Sequence, residues 1–148
     1  MKLVIQRVAR AAVRVGDETV SAIGRGLLIL HGVAVGDGEA QVDALVRKAT
    51  GLRIFDDAAG KMNLSCEDVD GGFLVVSQFT LLADLSKGKR PGFEAAMRPP
   101  ESERLYDLFC ERLAASTGRP VKKGRFGATM MVELVNEGPG TFIIEAQK

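Results

Sequence analysis

Apolar residues in this chain follow two rhythms. Short runs, unbroken or alternating, fall at residues 3–8 (L-V-I-Q-R-V), 12–15, 19–23, 27–30, 52–55, 73–76, 130–135 and 141–145. Each is bounded by glycine or polar residues and reads as a β-strand. Two other segments repeat every three to four residues. Val42, Leu45, Val46 and Ala49 mark one amphipathic helix, with Asp37 as its expected N-cap and Gly51 closing it. Leu105, Leu108, Phe109 and Leu113 mark a second over residues 101–116, opened by Pro99-Pro100 and stopped by Gly118 and Pro120.

The connections are equally legible. Residues 24–26 form a turn, and 56–61 (D-D-A-A-G-K) form a polar hairpin turn. Residues 63–72 read as an acid- and glycine-rich loop, and 93–97 as a short helical turn. Two loops are basic and contain glycine, 83–92 and 121–127. Residues 136–140 (N-E-G-P-G) carry strong turn signals between the last two strands. Sequential short strands joined by turns, with two helices between them, predict an α+β fold. Its sheets should be mostly antiparallel, as two sheets or a partial barrel, with the two main helices packed on them. Residues 1–148 are expected to form a single domain.

The strand at 73–76 is the anchor of the chain. It is apolar throughout, as a strand buried on both faces must be, and it runs into Ser77, Gln78, Phe79 and Thr80. Polar groups at the end of such a strand need hydrogen-bond partners or a ligand, and strand ends are common ligand positions. Arg7 breaks the first strand with a charge. An arginine there either points to solvent, the default, or is buried and paired.

Composition adds exclusions. Apolar residues make up 46% and charged residues 26%, with a formal charge of +1. There is no global basic signal, so any nucleic-acid contact must be local. Cys66 and Cys110 lack metal or redox spacing and read as free thiols of a reducing compartment. Met1-Lys2 leads straight into a strand pattern, so no signal peptide is expected. No apolar run approaches the ~20 residues of a membrane helix. A cytoplasmic protein without cofactor or metal is expected.

The candidate chemistry is sparse. His31 is the only histidine, at the end of an apolar strand. No nucleophile elbow, zinc motif, dinucleotide fingerprint or phosphate-binding P-loop is present. An enzyme built on this chain must use backbone groups, one or two polar side chains, or its substrate. Backbone N–H groups near Phe79 and Thr80 suit an oxyanion hole. Thr80 as a nucleophile would lack an evident base. Lys87, Lys89 and Arg90 on one loop, and Lys122, Lys123 and Arg125 on the other, suit phosphate contacts, though such clusters are usually solvated faces. Phe126 could stack on a base or be buried, and Met130 belongs to the core or to a pocket wall. Gly138-Pro139 is a turn in which a cis bond costs little.

Several of these segments together resemble the D-aminoacyl-tRNA deacylases along nearly the full length. They are I-Q-R-V at 5–8, L-R-I-F at 52–55, K-M-N-L at 61–64, V-V-S-Q-F-T-L at 75–81, K-G-K-R-P at 87–91, F-G-A-T-M at 126–130 and N-E-G-P-G-T at 136–141. The resemblance implies a homodimeric hydrolase that cleaves the ester between a D-amino acid and tRNA, and glycine mischarged onto the alanine tRNA. By the same resemblance, Gly138 and Pro139 would be a cis pair entering the partner's pocket, where their carbonyls hold the substrate amino group and exclude L side chains. Arg7 would hold that motif. Phe126 and Met130 would wall the site of the terminal adenosine. Ser77, Gln78, Phe79 and Thr80 would line the reacting ester, and the 2′-OH of the ribose would assist. Residue 140 departs from the pattern, being Gly where the family usually has Val. Two other readings stand beside this one. One is a sister deacylase for mischarged L-alanyl-tRNA, which typically differs at the positions of Ser77 and Phe79. The other is a non-catalytic nucleic-acid-binding module using the basic loops.

Overall fold

A computed structural model of the chain describes residues 1–146. One long strand, β1 (Lys2–Val15), organises it. Its first half pairs antiparallel with β3 (Gly26–Gly32), and its second half forms a hairpin with β2 (Glu18–Ile23). Its other edge is covered along its length by β8 (Met131–Glu145). Beyond β3 the sheet continues in parallel through β6 (Gly72–Ser77) to β7 (Val121–Lys123). The Ser21 hydroxyl donates to the Lys123 carbonyl at 2.7 Å and so ties β2 to β7. The sheet thereby curls into a mixed, nearly closed barrel. A small hairpin, β4 (Phe55–Asp56) with β5 (Met62–Leu64), stands apart.

Period-two alternation divides the core in two. Leu27, Ile29, Phe73 and Val75 face the helices α1 (Glu39–Gly51) and α2 (Glu101–Ser116), and pack with Val42, Leu45, Leu105, Phe109 and Leu113. Leu28, Leu74 and Val76 face the barrel interior, with Val8, Ala11 and Val13. Both faces of β3 and β6 are therefore dry, which is why their sequences are unbroken apolar runs. On β1 a register shift between Val8 and Arg10 changes the parity: Leu3 and Ile5 serve the helix side, Ala11 and Val13 the barrel.

The structure corrects several sequence expectations. Residues 3–8 and 12–15 are one strand, and so are 130–135 and 141–145. Long mutual pairing keeps residues 2–15 one strand and brings β8 back to the same partner beyond its glycine-rich break. β7 and β5 form where loops are expected, because a neighbouring strand offers them an edge. The strand at 52–55 shrinks to β4. Gly38, rather than Asp37, is the N-cap of α1: the Gln41 side chain accepts the Gly38 N–H at 2.8 Å, while Asp37 accepts the Ala34 N–H at 2.7 Å. The second helix has the predicted limits.

The segment 136–140 is not a hairpin turn. Gln6 pairs with Thr141 and Val8 with Asn136, so Glu137, Gly138, Pro139 and Gly140 stand opposite the single residue Arg7. The strand leaves the sheet and returns to the same partner. The Asn136 side chain bridges the excursion, donating to the Arg7 carbonyl at 3.1 Å and to the Gly140 carbonyl at 3.2 Å.

Candidate functional site

At the C-terminal ends of the parallel strands β3 and β6 lies a cleft of about 530 Å³. The end of β6 supplies Ser77, and Gln78 and Phe79 follow it. The chain there tightens into a single 3-10 turn, Phe79–Leu82, anchored by the Gln78 N–H donating to the His31 carbonyl at 2.8 Å. The first bond within that turn runs from the Leu81 N–H to the Gln78 carbonyl. The N–H groups of Phe79 and Thr80 precede it and so have no partner in the turn. Phe126 and Met130 line the opposite wall, Phe126 leaning on Tyr106 with centroids 5.9 Å apart. Both are half-buried, part wall and part core.

The cleft thus gathers Ser77, Gln78, Phe79, Phe126 and Met130. Thr80 is exposed and does not line it, though its hydroxyl is hydrogen-bonded to the Gln78 side chain. Gly138, Pro139 and Arg7 do not line the cleft of their own chain either.

Arg7 departs from the solvent default, being only 3% exposed. It faces the excursion and donates to the carbonyls of Ile54 at 2.7 Å, Glu137 at 3.1 Å and Gly138 at 3.4 Å. Asp56 and Glu137 place carboxylates at 3.5 and 3.6 Å. Five donors on a planar fork allow one side chain to hold three carbonyls. Gly138 and Pro139 stay exposed at the tip, and their peptide bond is cis, as is that of Pro99-Pro100. Gly140 is buried against Arg7: a Cβ there would lie 2.7 Å from the Arg7 Cβ. Glycine at this position therefore fits close packing on the arginine.

No buried group near the cleft offers a base at neutral pH. Burial pushes His31 down to about 3, so its neutral imidazole is too weak a base to hold a proton near neutrality. It is 1% exposed, packs on Phe109 and Tyr106, and neither ring nitrogen has a partner. Burial raises the thiols of Cys66 and Cys110 to about 12 and raises the Tyr106 phenol as well. Tyr106 instead donates to the Val75 carbonyl at 2.8 Å.

The two basic loops separate. Lys87, Lys89 and Arg90 are exposed and carry no ion pair among the described residues. In the other loop, Lys123 pairs with Asp107 at 2.7 Å and Arg125 with Glu18 at 3.2 Å, so this cluster is largely neutralised.

Sequence reasoning missed one wall of the cleft. Residues 93–102 cross beneath the end of β3. The Val35 N–H donates to the Ala95 carbonyl and the Met97 N–H to the Val33 carbonyl, both at 2.9 Å. Phe93, Ala96, Met97, Arg98, Pro99 and Ser102 reach the cleft this way. Phe93, a lone aromatic on the loop ahead of Pro99-Pro100, is the one hint of this wall in the sequence.

The chain is similar to known proteins over its whole length. The sequence family described as D-Tyr-tRNA(Tyr) deacylase matches residues 4–145. A D-aminoacyl-tRNA deacylase of Geobacter sulfurreducens is 53% identical over 147 residues, covering 99% of this chain and 96% of the relative. One of Aeromonas hydrophila is 54% identical over 145 residues, covering 98% and 99%. A solved structure described as a c-Myc DNA unwinding element binding protein superposes with a TM-score of 0.94 at 41% identity, covering 100% of both chains.

Proposed function

The chain belongs to the D-Tyr-tRNA(Tyr) deacylase family and is a D-aminoacyl-tRNA deacylase, a hydrolase; we propose that it works by substrate-assisted ester hydrolysis behind a backbone filter lent by a second copy of the chain. The observation that carries this reading is the cleft at the end of β6. It holds donors and polar groups but no group able to act as a base near neutrality.

In this reading the terminal adenosine lies between Phe126 and Met130, and the ester carbonyl lies against Ser77, Gln78 and the turn. The N–H groups of Phe79 and Thr80 receive the negative charge that develops on the carbonyl oxygen. Water adds to the carbonyl carbon, assisted by the neighbouring 2′-OH. The bond to the ribose 3′-oxygen breaks, that oxygen takes a proton, and free amino acid and tRNA leave. Catalysis is positioning plus charge stabilisation, which suits a site with no activated nucleophile.

Chirality is read by Gly138 and Pro139 of the second copy. Their tip is exposed and braced from behind by Arg7 and Asn136. Two carbonyls accept the substrate's ammonium and leave no room for an L side chain. Glycine, with no side chain to reject, passes the same filter, so glycine mischarged onto the alanine tRNA is a substrate class. The homodimer draws on β8: its outer edge pairs with no described strand, and Met131 and Ile143 are 66% and 68% exposed. A long unpaired edge with apolar residues calls for a cover. Lys87, Lys89 and Arg90 take tRNA phosphates. Among the described residues no helix is long and apolar enough to cross a membrane, and we place the protein in the cytoplasm with its substrate.

The test is ester loss from D-tyrosyl-, L-tyrosyl- and glycyl-tRNA. Loss from the first and third only is expected. Preference for L-alanyl-tRNA would favour the sister deacylase, and salt-dependent binding without ester loss would favour a binding module.

A further inference from the structure

We propose that Arg98 binds the phosphodiester joining the last two nucleotides of the tRNA, with the Phe93 ring beside it as a platform for the penultimate base. This rests on the deacylase reading and adds a subsite to it.

Among the described residues, Arg98 is the only charged side chain lining the cleft. It is exposed and has no ion-pair partner among the described residues, whereas Arg104, Arg112 and Arg125 all meet carboxylates. Its backbone is well placed to hold a ligand. The preceding residue, Met97, is bonded to Val33, and the Arg98 carbonyl accepts the Ser102 N–H of α2 at 3.3 Å. Two prolines follow and restrict the chain further. The fixed backbone keeps the root of the side chain at the cleft, and the guanidinium fork matches two phosphate oxygens.

The surroundings are those of a single-stranded nucleic-acid site. Phe79 and Phe93 are 55% and 37% exposed and meet edge to face, with centroids 5.1 Å apart. Exposed aromatic rings lining the same cleft as a cation without an ion pair suit successive nucleotides, by stacking and charge. With the terminal nucleoside inside the cleft, its 5′-oxygen carries the chain outward past this rim. The first group met there is an anionic phosphodiester, then a base with a free face.

The test compares D-tyrosyl esters of adenosine, of the cytidylyl-adenosine dinucleotide and of full tRNA. Arg98→Ala should raise KM about tenfold for the dinucleotide and tRNA esters with kcat unchanged. It should flatten the salt dependence of tRNA binding by about 0.7 in slope. The adenosine ester has no phosphodiester and should be hydrolysed as by the wild type. Arg98→Lys should restore most of the affinity, because charge is retained. Phe93→Ala should weaken the dinucleotide and tRNA esters more than the adenosine ester, because its ring also supports Phe79. An equal loss on all three esters, or no loss on any, would overturn the proposal. Anisotropy with uncharged tRNA tests Arg98 separately: undiminished binding by Arg98→Ala would also overturn it. Absence of ester hydrolysis by the wild type would instead defeat the deacylase reading.

Discussion

Replacing His31 by leucine should stabilise the protein and remove part of its acid sensitivity. The imidazole is 1% exposed with neither nitrogen partnered. Each buried unpaired polar group costs about 1–3 kcal/mol. Against this stands the ring contact with Phe109, at a centroid separation of 4.6 Å, worth about 0.5–1.5 kcal/mol. His31→Leu, similar in size, should therefore gain roughly 0.5–5 kcal/mol near neutral pH, with both nitrogens counted and the ring contact subtracted. The pH term has a definite sign. Burial lowers the folded-state value from 6.5 to about 3, so between those limits the unfolded chain binds more protons than the folded one. Stability is complete above 6.5 and falls as the pH drops toward 3. From about pH 7.5 to about pH 5 the wild type should lose about 2 kcal/mol on this account, with a ceiling near 5 kcal/mol at lower pH. Urea unfolding of both proteins at the two pH values measures the difference. Protein concentration must be fixed, since a dimer of the proposed kind would add to apparent stability. Identical acid sensitivity in the two proteins would refute the reasoning. Ester hydrolysis by His31→Leu should stay within about tenfold of wild type, because an imidazole whose conjugate acid is held near 3 is too weak a base to take up a proton there.

Other substitutions probe the site and its brace. Arg7→Ala leaves three carbonyls without their donor and should cost about 2–4 kcal/mol in chemical unfolding; Arg7→Lys should recover only part, since one ammonium cannot span Ile54, Glu137 and Gly138. Thr80→Ala should keep at least about a tenth of the wild-type kcat, and isolation of an acyl-enzyme on Thr80 would contradict this. Neutralising Lys87, Lys89 and Arg90 together should weaken binding of different tRNAs alike and flatten its salt dependence without altering the D/L ratio; a changed ratio would move that loop into the aminoacyl pocket. Gly140→Ala, whose new Cβ would sit 2.7 Å from the Arg7 Cβ and 3.0 Å from the Glu137 carbonyl, should destabilise by about 1–3 kcal/mol in thermal unfolding, and an unchanged midpoint would show that the excursion yields freely.

Much of this protein is determined locally. The apolar run at β6 could only be a strand dry on both faces, and the polar residues after it marked the strand end where the cleft lies. The limits of α2 follow from its proline pair and its glycine stop. The lone histidine leaves no second imidazole for a catalytic triad. Those conclusions rest on periodicity, capping and residue chemistry, which act over a few residues.

Tertiary structure decided the rest, because the forces involved join residues distant in sequence. Strands as short as β7 exist only where a neighbour supplies hydrogen-bond partners. Pairing along β1 takes up β8 again beyond its proline and glycines, and turns an expected hairpin into an excursion facing one arginine. The fate of Arg7 depended on carbonyls 47 to 131 residues away. The wall carrying Phe93 and Arg98 reaches the cleft through two backbone bonds to the end of β3, contacts that no local pattern of side chains encodes.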